Sequence, residues 1–206
     1  AIFLGTGQPA ADLGAFLRAD PPEALVLSCA IAPALPGARA CIREAHGAGV
    51  PVRAGGPGFG PEGSRAYALG ADAWTADAEQ VHELLQDWAP DPVTAESRAR
   101  DGGEELTRLD RCRAALAARA ADAIEGTGDS ARLRSDLELL LDALAASLLL
   151  DDSGLVVELA AWQRSSPGPA AAGAGAALAA LRAALPAELP RAAAFLDAAA
   201  SSAATR

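Results

Sequence analysis

The chain changes its pattern near residue 90, and that change constrains the fold more than anything else in its 206 residues. Before it, short apolar runs alternate with amphipathic ones about every 20–25 residues, the rhythm of parallel strands joined by right-handed helical crossovers. "AIFLG" (1–5), "EALVLSCA" (23–30), "VPVRA" (50–54) and "ADAWT" (71–75) have the composition of strands. Between them "QPAADLGAFLRAD" (8–20), "PGARACIREAHGAG" (36–49), "PEGSRAYALG" (61–70) and "DAEQVHELLQDW" (77–88) are expected as helices, the last with Asp77 as its N-cap. "APDPVT" (89–94) is a linker with two prolines, and after it no strand signal remains. Residues 95–125, 129–150, 152–164, 173–185 and 187–200 are expected as helices, with "SSPGPAAAGAGA" (165–176) as a low-complexity connector. The expectation is an α/β domain over 1–90 followed by an all-α domain over 91–206. The leucine-dense 129–150 helix is expected at the centre of a bundle.

Charge narrows the partners. The net charge is −10, with 10 acids against 5 arginines over 1–90 and 17 against 12 over 91–206. Neither part offers the basic surface that sequence-independent nucleic-acid binding requires, and an anionic membrane surface would repel both. All 17 basic residues are Arg, so lysine Schiff-base and P-loop chemistry are excluded. Cys29, Cys41 and Cys112 show no C-x-x-C spacing, which points to reduced thiols and a cytoplasmic location rather than to zinc or disulfides. No signal peptide or membrane-spanning stretch is evident.

In an open α/β sheet, ligands bind beyond the carboxyl ends of the strands. The notable segment there is "VPVRAGGPGFGPEG" (50–63), with five glycines and three prolines in fourteen positions. Gly58-Phe59-Gly60-Pro61-Glu62-Gly63 formally matches the dinucleotide pattern G-x-G-x-x-G. It follows the third strand rather than the first, however, and its helix is short. Ser28-Cys29-Ala30 and Gly55-Gly56 end two successive strands, and "LGADAWTAD" (69–77) surrounds the next. His46 ends a helix, where its placement against the dipole explains it, and His82 lies mid-helix. The acid clusters "GGEE" (102–105) and "DD" (151–152) have the character of helix starts, and Cys112 that of a core thiol. The helical part has no His to hold haem.

In this order the segments resemble the cobalamin (B12)-binding domain family. Its pattern is D-x-H-x-x-G, then S-x-L, then G-G, at the ends of successive strands. Ser28 takes the S position and Gly55-Gly56 the G-G position, while Ala30 replaces Leu and D-x-H-x-x-G is missing. The resemblance implies a flavodoxin-like (Rossmann-like) parallel sheet lacking its first strand. A cobalt-ligating His is then expected upstream of Ala1. It also implies that the nucleotide tail of adenosyl- or methylcobalamin lies along Ser28, Cys29, Gly55, Gly56, Gly58, Phe59 and Thr75. An acidic helical part after such a domain is similar to actinobacterial sensory and photoreceptor proteins. The expected function is accordingly a cobalamin-binding, light-responsive or otherwise regulatory module, a homo-oligomer through its helices, with room for a second chromophore such as a bilin. The alternatives are a corrinoid methyl-carrier protein, a NAD(P)-binding reductase using Gly58–Gly63, and a structural module without ligand. No catalytic constellation is visible.

Overall fold

The computed structural model describes residues 1–76, 100–124, 130–165 and 169–202. The expected helix 77–88 with its Asp77 cap, His82, the linker 89–94 and Asp129 lie outside these residues. The chain divides into two compact units, Ala1–Arg100 and Asp101–Arg206, against a sequence-based boundary after residue 90.

In unit 1, helix α1 (Ala10–Ala19) leads to β1 (Leu25–Ser28), and α2 (Leu35–Gly47) to β2 (Val52–Gly55). The short helix α3 (Ser64–Ala68) leads to β3 (Ala73–Thr75). Two single-turn 3₁₀ segments, Ala32–Ala34 and Pro57–Phe59, follow β1 and β2. The strands form a parallel sheet in the order β1-β2-β3, the arrangement that strand–helix alternation requires. One register line runs Ser28–Gly55–Thr75 across the carboxyl ends. α1 buries Leu13 and Leu17 and packs on α2, whose Leu35, Ile42 and Ala45 are fully covered along with Val52 and Ala54 of β2.

Residues 1–5 do not form the expected strand. They are irregular, with Ile2 73% and Phe3 88% exposed, and β1 is the edge of the sheet. An apolar run becomes a strand only when a neighbour takes its backbone hydrogen bonds, and among the described residues no strand pairs with it.

Unit 2 consists, among the described residues, of α4 (Gly103–Ala123), α5 (Ser130–Leu150), α6 (Gly154–Ser165), α7 (Pro169–Ala184) and α8 (Pro190–Ser201). α5 packs against all four others, and Leu137, Leu140, Leu141 and Leu144 are wholly buried. A helix apolar on most of its circumference has to be central. The expected connector 165–176 is helical from Pro169 onward. Its alanines carry the highest helix propensity, and a proline is tolerated in a first turn. Glu105 in the first turn of α4 reaches the start of α8, where its carboxylate accepts from the Arg191 and Ala192 backbone N–H groups at 3.0–3.2 Å. The Ser147 hydroxyl, buried in α5, accepts from the Val156 N–H at the start of α6. Orphan donors at two helix starts are thus satisfied from neighbouring helices. Among the described residues no helix is long and apolar enough to cross a membrane.

Candidate ligand edge at the carboxyl ends of the strands

The parallel register brings Ser28, Gly55 and Thr75 side by side, and the turns after β1 and β2 bring Cys29, Gly56 and Gly58 against them. Their exposures differ. Ser28 is exposed and Gly55 and Gly56 are half-exposed, whereas Cys29, Gly58, Phe59 and Thr75 are buried.

The glycine loop is folded onto the end of β1. The Cys29 N–H donates to the Gly55 carbonyl at 3.0 Å, and the Gly58 N–H donates to the Cys29 carbonyl at 2.9 Å. A Cβ on Gly56 would lie 2.6 Å from the Cys29 carbonyl oxygen and 3.1 Å from the Ser28 hydroxyl. One on Gly58 would lie 2.9 Å from both that oxygen and the Cys29 sulfur. Gly56 also has φ +96°, a conformation reserved almost entirely to glycine. Phe59, with no exposed surface, anchors the loop from within. At Gly56 and Gly58, then, side chains are absent because the protein's own backbone occupies their place.

This bears directly on the fit of a nucleotide tail. Ser28 is exposed and Gly55-Gly56 is half-exposed, though a Cβ on Gly55 would lie 3.2 Å from the Thr75 carbonyl oxygen; together they carry the small polar group and bare backbone such a tail needs. The space beneath Gly56 and Gly58 is filled by Cys29, so Cys29, Gly58 and Phe59 face protein atoms. Burial pushes the Cys29 thiol above its ordinary value, and the thiol donates to the Ile31 carbonyl at 3.2 Å. It is therefore a poor nucleophile. The G-x-G-x-x-G match also has a packing explanation at its last position. A Cβ on Gly63, at φ +65°, would lie 2.2 Å from the Trp74 ring, and the following helix α3 has only five residues.

Sequence reasoning missed a buried pair at the opposite end of the sheet. His46 Nε2 lies 2.8 Å from Asp72 Oδ2, both side chains being 2% exposed, and the same oxygen accepts from the Val52 N–H at 2.7 Å. The pair ties the last turn of α2 to the starts of β2 and β3. His46 is therefore held by a specific carboxylate, beyond any general attraction to the helix end. Nothing local in the sequence marks this, because the partners are 26 positions apart.

Among the described residues, no group of three or more His, Cys, Asp or Glu side chains is arranged to hold a metal ion. No protein-family model matches the chain, and no curated protein sequence matches it.

Proposed function

We propose that unit 1 is a cobalamin-binding module of sensory or regulatory type. In this reading its parallel sheet is part of a flavodoxin-like layer, and unit 2 is a helical bundle that reports the bound state. The observation carrying the reading is the exposed Ser28 hydroxyl in register with Gly55, beside the half-exposed Gly56. A hydroxyl there exchanges a hydrogen bond with the base of the tail, and side-chain-free backbone lets a flat group approach closely. Thr75 borders the same line. Cys29, Gly58 and Phe59 support the floor of the site and are not in contact with the tail. When bound, cobalamin would supply a cobalt centre capable of ligand exchange and sensitive to light. The chain's part is to hold the tail and to let a helical interface shift its population.

A second reading has its own support. The Gly58–Cys29 hydrogen bond and the close approach at Gly56 account for two of the glycines as loop closure alone, which is what a purely structural module needs. Substituting Gly56 cannot separate the two readings, because any side chain there collides with Cys29 whether or not a ligand binds. Ser28 can, since it is exposed. Hydroxocobalamin is mixed with the protein, and its visible absorbance is followed through gel filtration. The cobalamin reading expects co-elution with the wild type and at least about a tenfold loss in affinity for Ser28→Leu, corresponding to about 1.4 kcal/mol. Absent or equal retention leaves the structural reading.

A further inference from the structure

In unit 2, a cavity of about 20 Å³ lies where α5, α6 and α7 meet, lined by Leu133, Asp136, Gln163, Gly173, Ala174 and Ala177. Gly173, Ala174 and Ala177 leave the space open on the α7 side. An added Cβ on Gly173 would meet no atom within 4 Å. Small residues alone would make only a packing gap. Gln163 makes it more than that. The residue is 3% exposed, and its Oε1 is buried without a hydrogen-bond partner. Asp136, half-buried one turn before Leu140, lines the same cavity.

The unpartnered Gln163 Oε1 calls for a donor. An unsatisfied buried amide oxygen is costly, and native proteins meet such groups with protein donors or ordered water. A water molecule needs roughly 10–15 Å³ of free volume and at least two polar partners, so this cavity accommodates one such molecule. An apolar guest would leave Gln163 Oε1 unpaired, and the volume is far below that of any tetrapyrrole. We propose that the α5–α6–α7 cavity is a binding site for one water-sized molecule that donates two hydrogen bonds, one to Gln163 Oε1 and one to the Asp136 carboxylate. Water and ammonium share this chemistry. The inference concerns unit 2 alone and is independent of the cobalamin reading.

A high-resolution crystal structure of the full chain tests it. The expected result is one density peak within hydrogen-bonding distance of Gln163 Oε1 and Asp136, lost in Gln163→Met, which keeps the length of the side chain and removes the acceptor. An empty cavity in the wild type overturns the proposal, as does a protein donor bonded to Oε1, and neither result depends on whether the variant folds. Thermal unfolding in ammonium chloride and in sodium chloride of equal ionic strength distinguishes the sources. A higher melting temperature in ammonium alone, abolished in Gln163→Met, identifies ammonium, and coincident melting curves beside an observed peak identify water.

Discussion

At the scale of single residues, the glycines after β2 divide by what they face. Gly56 combines φ +96° with a carbonyl oxygen 2.6 Å from where a Cβ would stand, so Gly56→Ala should cost unit 1 about 1–3 kcal/mol. Ser28→Ala, on an exposed side chain, should stay within about 0.5 kcal/mol of wild type. Denaturant midpoints of the two variants check both values. The sequence exposed the density of glycine in this loop but not its cause, because a ligand and a neighbouring carbonyl exclude side chains equally well. The His46–Asp72 pair was illegible for a different reason, since it is made only when α2 and β3 meet in space. Asp72→Ala deprives both His46 Nε2 and the Val52 N–H of their acceptor in a buried place. A loss of about 1–3 kcal/mol for each orphaned group is expected, read as a lower denaturation midpoint for unit 1.

At the scale of elements, burial pattern was the most readable signal and termini the least. The leucines of α5 foretold its central position, and Leu144→Ala should destabilise unit 2 by about 2–5 kcal/mol in thermal or denaturant unfolding. α5 also carries Asp142, whose carboxyl is raised above its ordinary value by partial burial. The Arg113 guanidinium pulls against that rise, while Glu138 and Asp110 add to it. A raised folded-state value means that, between the unfolded and the folded pKa, the native state holds more protons than the unfolded chain. The stability due to Asp142 is therefore fully present at the acid end of that window and is lost as pH rises through it. The midpoint of Asp142→Asn measured relative to that of wild type should rise from acid to neutral pH. Two elements defeated sequence reasoning. Residues 1–5 have the composition of a strand but pair with no strand among the described residues, and the alanine-rich stretch from Pro169 has the look of a connector but is helix, as its propensity demands.

At the scale of the whole molecule, strand–helix alternation followed by helix alone was legible as a small parallel sheet in unit 1 and packed helices in unit 2. Each unit has its own buried apolar residues, and the acidic excess is spread over both parts of the chain. Whether the carboxyl edge of the sheet is a ligand site is a property of surface left open after packing, and a sequence pattern cannot separate that from surface already filled. The claim to test is that Ser28 and Gly55-Gly56 receive the tail of a cobalamin. Amide ¹H–¹⁵N spectra of the full chain, recorded during titration with diamagnetic hydroxocobalamin, report on it residue by residue. The account predicts saturable shifts centred on Ser28, Cys29, Gly55, Gly56 and Thr75. Spectra that do not change, or shifts centred away from these strand ends, would contradict it.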